Sequence, residues 1–114
     1  MHAAPKKVVV GDGDPIVLAL ICHILTREGY DVEPIPDRDE LLRLISEGNY
    51  DAMIVDASLD GVLEVVKTAP SAARVILISP RNVDERAGVH AFLKKPLEFG
   101  ELIETVRNCV AQVE

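Results

Sequence analysis

Side chains able to do chemistry fall in a fixed order along this chain, each at the end of a hydrophobic run. Asp12 and Asp14 close the first run in VVVGDGDP (Val8 to Pro15), Asp56 ends the third, Ser79 ends the fourth, and Lys95-Pro96 closes the fifth. If the runs are strands of an open parallel α/β sheet, their carboxyl ends line one crevice and bring distant residues to one point. Two or three carboxylates, one hydroxyl and one ammonium meeting there suit a metal ion and a phosphoryl group. Asp56 interrupts the apolar run Met53-Ile54-Val55, where a lone buried carboxylate is costly unless a cation or hydrogen-bond donors offset it. Lys95 supplies the candidate cation, and Pro96, whose imide can be cis at modest cost, holds its direction through a fixed φ. Lys94 alternates to the other face as a solvated charge. Asp12 and Asp14 also have a purely local reading, because Gly and Asp suit a strand-to-helix turn whatever the function.

The elements that must position these groups are legible as five alternations of short buried runs and amphipathic stretches. Lys7 to Gly11, Asp31 to Ile35, Tyr50 to Asp56, Arg74 to Ser79 and Ala91 to Lys94 read as strands, being brief, rich in Val and Ile, and bounded by Gly, Pro or Asp. Helical patterns cover Pro15 to Glu28, Arg38 to Glu47, roughly Gly61 to Thr68, a weak stretch near Asn82 to Ala87, and Glu98 to Val113. Asp14 precedes Pro15 as an N-cap, Gly29 stands as a C′ residue, Asp37 with Glu40 forms a capping-box-like start, and Gly48 stops the second helix. Strands alternating with right-handed crossovers demand a parallel, doubly wound five-stranded sheet with helices on both faces. The third and fourth helical segments are short, and the passage from Pro80 to Gly88 has few apolar anchors.

Composition narrows the function. The chain has 114 residues, 48% of them hydrophobic, which fits one domain over residues 1–114 with a single core. A net charge of −7 without a Lys/Arg cluster leaves no field for a phosphodiester backbone, so no nucleic acid partner is expected. No run is long enough to span a bilayer and no secretory segment opens the chain, so a soluble cytoplasmic protein is expected. Cys22 and Cys109 lack metal or redox spacing and read as buried reduced thiols. His2, His23 and His90 have no metal-ligand partner at helical spacing and read as surface or structural residues.

Taken together, these strings resemble the receiver domain of response regulators in two-component signalling, over nearly the whole chain. The resemblance is carried by VVVGDGDP, by GYDV opening the second strand, by YDAMIVD and VILIS, and by AFLKKP. It implies a flavodoxin-like fold and a phosphoprotein that signals by protein contact, in a phosphorelay or a two-component pair, without being an enzyme in its own right. By the same resemblance Asp56 accepts the phosphoryl group, Ser79 hydrogen-bonds one of its oxygens and Lys95 pairs with another. Asp12, Asp56 and the backbone carbonyl of Ser58 hold Mg²⁺, and Phe92 stands at the aromatic switch position. A histidine kinase or histidine phosphotransfer protein is the implied partner, docking on the first helix; a homodimer is a further option. The physical logic agrees: carboxylate attack on a phosphoryl donor brings like charges together, so a divalent cation and an ammonium must offset the spreading charge.

Departures from the pattern bear on mechanism. Gly13 falls where the family has a direct acidic metal ligand, so weak Mg²⁺ binding is expected. Asp14 either reaches in as an additional acidic ligand or, as an N-cap, turns to the helix amides. ASLDG after Asp56 lacks the family's usual Met-Pro turn, and the short fourth helical segment argues against output through it. The first helix carries more apolar residues than one buried face needs, among them Ile16, Leu20, Ile21 and Leu25. A pseudo-receiver, an interaction module without a productive metal site, is therefore an alternative. A DxD-type phosphohydrolase is another, with Asp12 as nucleophile, Asp14 as acid/base and Ser79 and Lys95 at later motif positions, but it leaves Asp56 unexplained.

Overall fold

In the computed structural model, which describes residues 4–81 and 88–111, the apolar runs become strands and the amphipathic stretches wrap them. The order is β1 (Lys7–Gly11), α1 (Pro15–Arg27), β2 (Asp31–Pro34), α2 (Arg38–Glu47), β3 (Ala52–Asp56), α3 (Val62–Thr68), a 3₁₀ turn (Ala72–Arg74), β4 (Val75–Ser79), β5 (Ala91–Lys94) and α4 (Phe99–Ala111). The strands form one sheet in the order β2-β1-β3-β4-β5, every neighbouring pair parallel. Central strands β3 and β4 are buried along their whole length, which is why they read as unbroken apolar runs rather than alternating ones.

Period-two alternation splits the core into two layers. Val8, Val10, Ile54, Ile76 and Ile78 face Ile21 and Leu25 of α1 and Leu102 and Val106 of α4. Val9, Met53, Val55, Val75 and Leu77 face Leu41 and Ile45 of α2 and Val62 and Val66 of α3. Gly11 permits the close approach of the second layer, since a Cβ there would lie 2.5 Å from Cδ2 of Leu41. Leu41 thereby packs over the exit of β1, next to the polar residues that follow.

Helix ends obey the local signals. Asp14 caps α1, its Oδ1 accepting from the Ile16 amide at 2.9 Å. Asp37 caps α2 through the Glu40 amide at 3.2 Å. Only that half of the expected capping box forms among the hydrogen bonds, because the Glu40 carboxylate pairs with Arg43 at 3.6 Å. Gly48 ends α2 at φ 74°, in the left-handed region that glycine tolerates.

Several boundaries differ from the sequence expectation, for identifiable reasons. The strand expected from Tyr50 begins at Ala52, because buried Tyr50 is tied elsewhere: its hydroxyl reaches Ser71 Oγ at 3.4 Å and its carbonyl accepts from Arg74 at 3.1 Å. Arg74 belongs to the 3₁₀ turn, its amide bonded to the Ser71 carbonyl at 3.0 Å, so β4 starts one residue later. β2 stops at Pro34, although the Ile35 amide still donates to Val10. Glu28 is the C-cap of α1 and Gly61 the N-cap of the seven-residue α3, which is short as expected. Glu98 precedes α4 and accepts from the Leu102 amide at 3.0 Å. The helical stretch expected near Asn82 to Ala87, the shortened fourth helix of the sequence reading, lies outside the described residues, as does Val113. Among the described residues no helix is long and apolar enough to cross a membrane.

Candidate functional site

Strand order reverses between β1 and β3: the chain leaves β1 for the edge strand β2, then returns past β1 to build β3, β4 and β5 on the other side. Crossovers on opposite faces leave a crevice at that point, beyond the carboxyl ends of the strands. Gly11 pairs with Val55 and Asp56 with Ile78, so Asp12, Asp56 and Ser79 emerge side by side at the sheet's end. These three are the buried polar residues among those described, at 7%, 6% and 7% exposure.

The two carboxylates are held alike. Oδ1 of Asp12 accepts from the amide of Asp14 at 2.8 Å, and Oδ1 of Asp56 accepts from the amide of Ser58 at 2.9 Å. Each is a side-chain turn closed on the amide two residues on, which fixes the carboxylate plane. Each Oδ2 then faces the Lys95 ammonium, at 2.9 Å from Asp12 and 3.4 Å from Asp56. Asp56 has one donor more: the Ser58 hydroxyl reaches Oδ1 at 2.7 Å. Ser79 Oγ accepts from the Arg81 amide at 3.1 Å, and the Ser79 carbonyl accepts from the Lys95 amide at 2.9 Å. The Lys95-Pro96 bond is cis.

Burial by itself lowers the Lys95 pKa, but contact with Asp12, its charge and then the charge of Asp56 together outweigh that, so the ammonium titrates above its ordinary 10.5. Lysine is thus charged across the physiological range and compensates two carboxylates at once. Asp12 Oδ2 meets the ammonium at 2.9 Å and, among the described residues, has no other donor. One ammonium shared by two carboxylates leaves net negative charge on hard oxygen donors, which fits a hard divalent cation such as Mg²⁺. Among the described residues no cluster of three or more His, Cys, Asp or Glu side chains forms a fuller metal site.

The remaining candidates fall around this pocket. Asp14 is exposed and its carboxylate Oδ1 is engaged in capping α1. Gly13 is exposed, and a Cβ there would meet only Leu59 Cδ2, at 3.5 Å. Phe92 stands on β5 opposite Leu77, half-buried against the second core layer. Lys94 is exposed. His23 is exposed, the His90 amide donates to the Val75 carbonyl at 2.9 Å, and His2 lies outside the described residues. Cys109 is buried as expected whereas Cys22, at the margin of the first core layer, is half-buried; desolvation raises the pKa of both thiols, Cys109 to about 11, which disfavours the thiolate. Two residues escape the sequence reading: the side chain of Ser58, where the resemblance implies only a role for the carbonyl, and Leu59 beside Gly13. A Ser two residues after Asp is a recognisable turn signal; nothing local marks Leu59.

Comparison with known proteins agrees with this geometry. The model of the response regulator receiver domain matches residues 8–107. The chain is 27% identical to the transcriptional regulatory protein GlrR of Escherichia coli (strain K12), over 98% of this chain and 28% of that protein. It therefore spans little more than a quarter of that relative's length. Among solved structures, the receiver domain of Francisella response regulator 1452 superposes with a TM-score of 0.81 at 27% identity, over 96% of this chain and 99% of that one. The receiver domain of sensor histidine kinase PA1611 from Pseudomonas aeruginosa PAO1, a structure with a magnesium ion coordinated in its active site cleft, shares the fold at a TM-score of 0.78 and 18% identity, over 95% of this chain and 99% of that one. With its doubly wound sheet, its acidic crevice and a family match running from β1 into α4, this chain belongs to the receiver domains of two-component response regulators.

Proposed function

We propose that Asp56 accepts a phosphoryl group from a phosphohistidine on a histidine kinase or phosphotransfer partner. The reading is carried by the Lys95 ammonium, which lies within 3.4 Å of Asp56 and 2.9 Å of Asp12 at the mouth of the crevice. In the transfer an Asp56 carboxylate oxygen forms the new O–P bond while the N–P bond of the donor breaks, its electron pair returning to the imidazole. Lys95 stays protonated and pairs with a phosphoryl oxygen, lowering the repulsion between carboxylate and donor. The Ser79 hydroxyl, held by the Arg81 amide, can turn its proton toward a second oxygen. Half-buried Phe92 is then the side chain able to register that movement on the β5 face. Mg²⁺, when bound, would neutralise charge on the transferring group; Asp12, Asp56 and the Ser58 carbonyl would hold it. Affinity is weak because Gly13 contributes no ligand and Asp14 is engaged as a cap.

The donor docks beside the pocket. An apolar cavity of about 240 Å³ is lined by Val17, Leu20 and Ile21 of α1 and by Pro96, Leu97 and Phe99, with Lys95 at its edge. Of its lining, Leu20 and Phe99 are exposed, as is Ile16 on the same helix as Leu20. A helix carrying the phosphohistidine can bury its apolar face here with the imidazole turned to Asp56.

Incubation with Mg²⁺ and a small acyl phosphate, followed by intact mass, tests the assignment. Wild type is expected to gain one phosphoryl group and Asp56→Ala none; equal labelling of both would overturn it. The vacant ligand position at Gly13 favours a second reading, a pseudo-receiver. That reading predicts no amide shifts with Mg²⁺ and no labelling even by a phosphorylated kinase.

A further inference from the structure

We infer that the Ser58 hydroxyl is a gate on the Asp56 carboxylate: it fills the second lone-pair direction of Oδ1, leaving Oδ2 alone to serve a cation and the incoming phosphoryl group, and so sets the metal affinity of the pocket. The inference rests on the phosphoacceptor reading and concerns a side chain which that reading leaves without a role.

The two carboxylates make the case by comparison. Both are clamped at Oδ1 by the amide two residues on and both turn Oδ2 to Lys95. They differ in one respect, the 2.7 Å contact from Ser58 Oγ to Asp56 Oδ1. A carboxylate oxygen has about two lone-pair directions. On Asp56 Oδ1 the amide takes one and the hydroxyl the other, so that oxygen is saturated within the chain. On Asp12, among the described residues, the corresponding second direction of Oδ1 carries no hydrogen bond, and Oδ2 meets only the Lys95 ammonium, at 2.9 Å. The pocket is therefore asymmetric at Oδ1: Asp12 keeps a second direction of that oxygen for a cation, whereas on Asp56 both directions are taken and only Oδ2, 3.4 Å from Lys95, remains.

Of the two donors on Asp56 Oδ1, only the hydroxyl can leave. The amide is fixed by the backbone that turns from β3 into the following loop, whereas Ser58 is exposed and its side chain can rotate into water at the cost of one charge-assisted hydrogen bond. Cation binding at Oδ1 thus requires the hydroxyl to swing out, and its hydrogen bond is subtracted from the affinity. This adds to the effect of Gly13: the chain has one acidic ligand fewer and one internal donor competing for an acidic ligand that remains.

A Mg²⁺ titration of the full chain followed by amide NMR, on wild type, Ser58→Ala and Ser58→Thr, decides the matter. Ser58→Ala should bind Mg²⁺ about three- to tenfold more tightly, the range of one net hydrogen bond, and Ser58→Thr, which keeps the hydroxyl, should stay within about twofold of wild type. Equal or weaker binding by Ser58→Ala, or tightening by Thr as large as by Ala, overturns the gate. Labelling in the same samples separates the two failures: unchanged Mg²⁺ affinity with labelling of Asp56 removes the gate alone, and absence of Mg²⁺ shifts together with absence of labelling by both a small acyl phosphate and a phosphorylated kinase removes the phosphoacceptor reading with it. Well-dispersed amide spectra for each variant verify folding.

Discussion

At the scale of single residues, the pocket is governed by how one ammonium serves two buried carboxylates. Lys95→Met would leave Asp12 and Asp56 facing each other without a cation, an uncompensated burial that costs about 3 kcal/mol. The sign with pH follows from the raised Lys95 pKa. Its stabilising charge is fully present below 10.5, the ordinary value, and is lost as pH rises through the higher folded value. Urea unfolding should therefore show the variant less stable than wild type at neutral pH, with the gap closing in strong alkali; a gap that widens there would contradict the triad. Gly13 offers the opposite experiment. Its φ is not positive, and a Cβ meets only Leu59 Cδ2 at ordinary contact distance, so Gly13→Asp is sterically allowed. Adding this carboxylate beside Asp12 should tighten Mg²⁺ by about tenfold or more, read by amide shifts. No change would show that residue 13 points away from the cation.

At the scale of elements, the site depends on turns that are held from a distance. Gly48 ends α2 at φ 74°, and a Cβ there would stand 2.8 Å from the Ser71 Cβ. Ser71 in turn donates to the Ile45 carbonyl at the end of α2 and meets the Tyr50 hydroxyl. Gly48→Ala should thus destabilise the domain by about 1–2 kcal/mol from backbone strain alone, with the side-chain clash added. Thermal unfolding checks this, and Gly29→Ala, where a Cβ meets nothing within 4 Å, is the control for the backbone cost by itself. The same network explains why a strand read from Tyr50 starts two residues late. Tyr50 carries the β-favouring aromatic ring that suggests a strand, but its polar atoms are claimed by α2 and the 3₁₀ turn. Caps were legible because they are local: Asp14, Asp37 and Gly48 act on amides or carbonyls within four residues.

For the whole molecule, the consequence is an apolar groove alongside a polar pocket. α1 buries Ile21 and Leu25 in the first core layer, yet Ile16 remains 71% and Leu20 45% exposed. Its surplus of apolar residues is divided between the core and the groove formed with Pro96, Leu97 and Phe99. Leu20→Lys should slow phosphoryl transfer from the protein donor by about tenfold or more, the cost of charging a buried apolar contact. Labelling by a small acyl phosphate should be unchanged, since Asp56 and Lys95 are untouched. Equal slowing with both donors would place Leu20 in the pocket's structure rather than in docking.

The sequence by itself determined which side chains end which strands, because short apolar runs, Val and Ile enrichment and capping residues act over a few residues and leave local marks. It also marked Asp56 as anomalous, since a carboxylate ending an apolar run needs a distant counter-charge. Only the tertiary structure decided that Lys95 serves Asp12 as well as Asp56, that the Ser58 hydroxyl closes on Asp56, and that Leu59 lies beside Gly13. Those relations depend on strand order and register, which place β1 against β3 and bring the end of β5 to the same crevice. Hydrogen bonding between strands fixes them, and no pattern within a single segment encodes which strand becomes its neighbour.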